Sequence, residues 1–396
     1  MDVHHALPLL AGLSPVQFMR RHWQKKPLLV RGAIVDFKPL LSRMELFKLA
    51  ASHDVESRSI IKNADKWRMK SGPFGPRSLP PTSRPDWTLL VQGVNEHHSG
   101  VHQLLQQFRF VPDARLDDVM VSFATPGGGV GPHFDSYDVF LLQASGRRRW
   151  KISQQKDLTL QEGVPLKILQ NFEPTEEFVL DAGDMLYLPP RYAHEGIAEA
   201  AVDLNGKEQD CMTYSIGFKA PVKTDLAAEV LQKLAEFCED AGNKSGHVRQ
   251  PLMYQDARQA ATPTPALLPP ALVYFAESAV RNALQNPLAI ACALGEIMTM
   301  PKPQVWFAEA NIPTDAALGK GVRLDAKTRM LYDADHVFIN GESYRAKGAD
   351  ATLMRKLADE RNLPVQEMRK ASAGATALLQ DWHAAGWVHF AQEVPR

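Results

Sequence analysis

Between residues 117 and 218 the chain breaks into short apolar runs divided by turn signals. The runs are "DVMVSFA", "YDVFLLQA", "RRRWKIS", "EEFVLDAGDMLYLP", "AHEGIAE" and "CMTYSIGFK". The runs are short and follow one another at close spacing, which does not suit strand–helix–strand units. Such spacing predicts a β-sandwich or jelly roll.

A chain of 396 residues is long for one domain, and two or three are expected. Before the β region, Ser14 followed by Pro15 reads as a capped start to a short helix. "LLVRGA" reads as a strand, "RMELFKLAA" and "GVHQLLQQFRF" as helices, and residues 72–86 as a polar, proline-rich loop. After Pro221, "TDLAAEVLQKLAEFCEDAG" sets Leu226, Val230, Leu231, Leu234 and Phe237 on one helical stripe. Two apolar helices follow, "ALVYFAESAVRNALQ" and "LAIACALGEIMTM". Beyond Pro301, "HVFINGESYRA" is a hairpin turning at Asn340-Gly341, then come helices "ATLMRKLADER" and "ATALLQDWHAAG" and a last strand "WVHFAQ".

Net charge is zero, from 45 basic and 45 acidic residues, so no polyanion partner is expected over the whole surface, although a local patch stays open. Three cysteines lie far apart with no CxxC, which fits a reduced, cytoplasmic protein and argues against a disulfide framework. The first residues do not read as a signal peptide, and no run of about 18 apolar residues predicts a membrane span.

"HFD" is the first chemical signal. In a strand, residues i and i+2 share a face, so His133 and Asp135 point the same way. With 13 histidines in the chain, a lone His-x-Asp is a weak signal. A second half-motif strengthens it. Gly183, Pro189 and His194 have the spacing of the second cupin motif, with Arg191 where that motif has glycine. Gly127, His133, Asp135 and Gly146 resemble the first, with Val139 where classical cupins place a glutamate. On this resemblance His133, Asp135 and His194 form a set of two histidines and one carboxylate. Three ligands with the remaining positions open suit Fe(II) and oxygen chemistry.

Strand "RRRWKIS" is the second signal. Arg147, Arg149, Lys151 and Ser153 share one polar face, whereas Arg148 shares its face with Trp150 and Ile152. A guanidinium on a buried face needs a carboxylate partner. Beside an iron site, the mobile candidate is the distal carboxylate of 2-oxoglutarate. Ser122 has two readings: a hydroxyl for the same carboxylate, or a strand serine bonded to backbone.

Taken together, "FMRRHWQKKPLLVRGA", "PGGGVGPHFDSYDVF", "GRRRW" and "GDMLYLPPRYAHEG" resemble the bacterial ribosomal oxygenases of the JmjC (cupin-4) family. That resemblance implies an α+β chain with three parts. They are a double-stranded β-helix catalytic domain over 1–221 with its β core at 117–218, a helical dimerisation domain over 222–300, and a winged-helix-like domain over 301–396. It implies an Fe(II)-, 2-oxoglutarate- and O2-dependent hydroxylase with iron on His133, Asp135 and His194, and with Arg148 and Ser122 on 2-oxoglutarate. Its expected substrate is an arginine β-carbon of a uL16-type large-subunit ribosomal protein. The expected assembly is a homodimer, with neither membrane nor direct nucleic-acid binding.

Tyr137 shares the ligand parity and is expected at the substrate channel; Asp138 has the opposite parity and is expected to be structural. Gly127–Gly129 read as a flexible turn into the metal strand. His4-His5 and Glu96-His97-His98 read as loop residues. Other functions stay open: a histidine hydroxylase or a lysine demethylase on the same fold, a cupin isomerase, or a non-catalytic ribosome- or nucleic-acid-binding cupin. Product mass separates the first two, the missing fourth ligand argues against the isomerase, and oxoglutarate turnover tests the last.

Overall fold

The computed structural model describes residues 2–64, 66–75, 77–202, 206, 208–244, 252–285, 287–310 and 321–390. It divides into two compact units, Met1–Ala220 with Pro303–Trp306, and Pro221–Lys302 with Phe307–Arg396.

In the first unit, helix α1 (Pro15–Arg21) starts in a capping box: the Ser14 hydroxyl accepts from Gln17 N–H and the Gln17 side chain accepts from Ser14 N–H. Strand β1 (Leu28–Val30) and helix α2 (Arg43–Ala50) follow as expected. The next stretch departs from expectation. Besides helices α3 (Val94–His97) and α4 (Ser99–Gln106), it holds three strands, β2 (Ser57–Asn63), β3 (Lys66–Ser71) and β4 (Trp87–Val91). β3 is an edge strand with Lys66, Arg68 and Lys70 exposed. Cations on an edge protect it from pairing with other chains, and Trp67 and Met69 alternate with them at the period of a strand.

The β region supplies β5 (Leu116–Ala124), β6 (Asp138–Ser145), β7 (Arg147–Ser153), β8 (Glu176–Leu180), β9 (Met185–Leu188), β10 (Ala193–Glu199) and β11 (Cys211–Phe218). An eight-stranded antiparallel sheet runs β1-β9-β6-β11-β5-β4-β2-β3, and a three-stranded one runs β10-β7-β8. Alternation sorts the large sheet into two faces. Phe123, Phe140, Tyr187, Tyr214 and Phe218 pack with Phe18, Leu46, Val101 and Leu104 of the helices. The opposite face meets the small sheet, where Val139, Leu141, Leu186 and Leu188 pack with Trp150, Ile152 and Leu180. This is the expected jelly roll, and its interior carries the candidate site.

The glycine triplet is not a loose turn. Its backbone threads between β4 and β10, with Gly127 N–H bonding Ala198 O and Ala198 N–H bonding Gly128 O. A Cβ on Gly129 would stand 2.6 Å from Gly196 O, so close approach, not flexibility, demands glycine there.

The second unit begins with helices α5 (Lys223–Lys244), α6 (Pro270–Leu284) and α7 (Pro287–Thr299). Two three-stranded sheets follow, with helices Gly348–Glu360 and Ala373–Ala384. Their core joins Leu353, Leu357, Leu379, Trp382 and Val388. The Asn340-Gly341 turn forms as read, both residues having positive φ. The last strand covers Val388–Phe390; Ala391 and Gln392 lie outside the described residues.

Candidate metal centre

His133 is not in a regular strand, contrary to the sequence reading. Positive φ at Gly131 followed by Pro132 interrupts the chain, and His133 makes one isolated antiparallel bridge, to His194 at the start of β10. That single step suffices. His133 N–H donates to His194 O at 2.9 Å and His194 N–H to His133 O at 2.7 Å. The imidazoles lie 4.2 Å apart, centroid to centroid. Asp135 approaches them, its Oδ2 standing 3.6 Å from His194 Nε2. One ligand atom from each of the three residues falls within 4.8 Å of the others, and they form the one such grouping found among the described residues.

Both rings are oriented alike. His133 Nδ1 donates to Gly131 O at 2.9 Å, and His194 Nδ1 donates to Tyr192 O at 2.9 Å. A carbonyl only accepts, so each Nδ1 carries the proton and each Nε2 keeps its lone pair for a cation. Burial, and secondarily the neighbouring His133, lower the pKa of His194 to about 4. His194 is therefore neutral at physiological pH, as a ligand must be.

The strand register places Arg148 on the same interior face. Ile152 pairs with His194, Trp150 with Gly196, and Arg148 with Ala198. At about 3.3 Å per residue, Arg148 Cα lies roughly 13 Å along the strand from the His194 position. A long side chain and a five-carbon dicarboxylate together suit such a gap. Its neighbours face outwards: Arg147 pairs with Asp181 at 2.6 Å, and Arg149 with Glu177 and Glu199. Arg148 is 4% exposed, and its Nε and Nη2 have no hydrogen-bond partner, nor has the buried Nε1 of Trp150. Its guanidinium lies 5.8 Å from the centre of the Trp150 ring. That indole occupies the space a Cβ on Gly196 would need, the nearest ring carbon being 2.6 Å away.

Ser122 is buried on the interior face of β5, two residues before Ala124, which packs against Ala198, the partner of Arg148. Its hydroxyl donates a long bond, 3.4 Å, to Thr213 O. Tyr137 is 37% exposed, lies near Asp135 and rests on Gly217. Burial, then Asp135, Asp118 and Asp117, push its phenol pKa far up. Asp118 was missed in the sequence, although it shares the parity of Met120 and Ser122 and so faces the interior. Asp138 is fully buried, accepting from Tyr187 Oη at 2.6 Å and Gln24 Nε2 at 3.0 Å and pairing with Arg115.

Two family models match, a JmjC domain over residues 103–226 and a ROXA-like winged helix over 282–389. The chain is 34% identical over 340 residues to the ribosomal protein uL16 3-hydroxylase of Escherichia coli K12, covering 82% of this chain and 84% of that protein. It is 34% identical over 219 residues to a probable ribosomal oxygenase of Haemophilus influenzae, 54% of this chain and about half, 52%, of that one. Among solved structures, E. coli ycfD superposes with a TM-score of 0.78 at 29% identity, over 94% of this chain and 97% of that chain. YcfD in complex with cobalt and 2-oxoglutarate gives 0.77 at 28% identity, over 96% and 99%.

Proposed function

The chain belongs to the JmjC-domain ribosomal oxygenases, and from that premise we propose that it hydroxylates the β-carbon of an arginine in a uL16-type large-subunit ribosomal protein. It is an Fe(II)- and 2-oxoglutarate-dependent oxygenase. The observation that carries the proposal is the join of two half-sites on one interior face: a cluster of His133, Asp135 and His194, and a buried, unpartnered guanidinium at Arg148.

The residues present fit the groups the family uses. Two imidazoles with free Nε2 atoms and a carboxylate suit Fe(II) and leave positions open. Buried donors on Arg148 and Trp150 have no protein partner, which is costly unless a ligand supplies acceptors. When bound, iron and 2-oxoglutarate supply oxygen activation, one oxygen atom going to the substrate carbon and the other to the succinate left by decarboxylation. The protein orients. The Gly131 and Tyr192 carbonyls fix the ring tautomers. Arg148 takes the distal carboxylate as a two-pronged donor, with Ser122 turning its hydroxyl from Thr213 O to the same group. Tyr137 offers an aromatic face to a cationic side chain.

Residues 1–221 are assigned to catalysis, 222–300 to dimerisation and 301–396 to the winged helix. Support for a homodimer comes from α6, which buries none of its residues and exposes Val273, Val280 and Leu284 at helical spacing. The cytoplasm, where ribosomal proteins are made, is the expected site of action, and no described helix is long and apolar enough to cross a membrane. Succinate formation that depends on added uL16-type protein tests the function. Turnover indifferent to every ribosomal protein would contradict it.

A further inference from the structure

Arg191 stands where the cupin motif has glycine, and its backbone is one that favours glycine, with φ 63°. The turn is Pro189-Pro190-Arg191-Tyr192, closed by Tyr192 N–H donating to Pro189 O at 3.3 Å. Proline second and a left-handed residue third is the type II arrangement, in which glycine costs least. For an arginine the left-handed region is unfavourable by about 1–2 kcal/mol.

Two contacts accompany this strain. Arg191 N–H donates to Asp135 O at 2.7 Å, which joins the turn before His194 to the segment that carries Asp135. The guanidinium lies 6.0 Å from the centre of the Phe134 ring, and Phe134 sits between His133 and Asp135 in the chain. No ion pair to Arg191 is found among the described residues. The backbone bond is open to any residue at this position; the stack needs a cation on a long stem.

We propose that Arg191 is a positioning residue for the metal centre: by stacking on Phe134 it clamps the His133–Asp135 segment onto the turn that leads to His194. The clamp complements the paired His133–His194 bonds, which hold the other end of the segment. This rests on the reading of His133, Asp135 and His194 as ligands. Arg191→Gly separates positioning from folding, because it relieves the left-handed strain while removing the stack.

The test is cobalt affinity, read from the visible spectrum of bound Co(II) in the full-length protein, beside the melting temperature of each variant. Arg191→Gly is expected to melt at or above the parent while binding cobalt roughly two- to fivefold more weakly, the loss of an exposed cation–π contact of about 0.5–1 kcal/mol. Arg191→Ala keeps the strain and loses the stack, so both quantities fall. Arg191→Lys restores part of the cobalt affinity, and Phe134→Leu reproduces the loss, with no further loss when combined with Arg191→Gly. Parent-like cobalt affinity in Arg191→Gly and Arg191→Ala overturns the proposal and leaves the ligand assignment standing. A parent that binds no cobalt overturns both.

Discussion

His133 and His194 exchange both main-chain hydrogen bonds, at 2.9 and 2.7 Å, so two segments distant in sequence present their imidazoles from directly opposed positions. In an antiparallel ladder such a pair has its Cα atoms about 5.5 Å apart, close enough for one ion to accept from both rings. His194→Ala is expected to abolish oxoglutarate turnover and weaken Co(II) or Fe(II) binding by at least the 10–100-fold typical of losing even an outer partner. Because His194 is buried, its melting temperature is read alongside. Normal turnover in a folded variant would contradict the assignment.

The three consecutive arginines make a sharper comparison. Arg148 faces the interior without a hydrogen-bond partner, while Arg147 and Arg149 are held outwards by carboxylates. Arg148→Ala should lose about 2–5 kcal/mol of 2-oxoglutarate affinity, roughly 30-fold or more. Arg147→Ala and Arg149→Ala break exposed pairs, each worth about 1 kcal/mol or less. Equal losses in all three, measured by oxoglutarate titration with metal present, would contradict the strand-parity argument.

Tyr137→Ala should act on the protein substrate alone. An arginine that stacks on the ring gains about 0.5–2 kcal/mol, so KM for a uL16-type peptide is expected to rise roughly 3- to 30-fold. Oxoglutarate affinity should stay within about twofold. An unchanged peptide KM would remove Tyr137 from the substrate channel.

Light scattering at micromolar concentration is expected to give twice the mass of one chain. Val280→Glu with Leu284→Glu, both on the exposed stripe of α6, should shift the protein towards the monomer without loss of helicity. A monomeric parent would show that α6 does not bury its apolar face against a second copy.

Period two made Arg148 legible, because one polar and one apolar face cannot both be solvated in "RRRWKIS". The jelly roll was legible for the same reason. The strand assigned to "HFD" was not real; an isolated bridge, set by Gly131 and Pro132, brings the ligands together instead. Strand β3 was readable too, since Trp67 and Met69 alternate with the exposed Lys66, Arg68 and Lys70, whereas β2 sets Ile60 and Ile61 side by side among polar residues and lacks that period. Asp118 was readable from the parity of Ser122. The contact between Arg191 and Phe134 was not, since it depends on a left-handed turn that sequence spacing does not reveal.

The central claim is the identity of the modified residue. Purified protein, Fe(II) and 2-oxoglutarate are incubated with unmodified large-subunit ribosomal proteins, and each intact mass is taken before and after, followed by fragmentation of any shifted protein. The account predicts one added oxygen on the uL16-type protein, located to the β-carbon of an arginine, and none with His194→Ala. Loss of a methyl group, oxygen on a histidine, or no mass change in any ribosomal protein while succinate accumulates would contradict it.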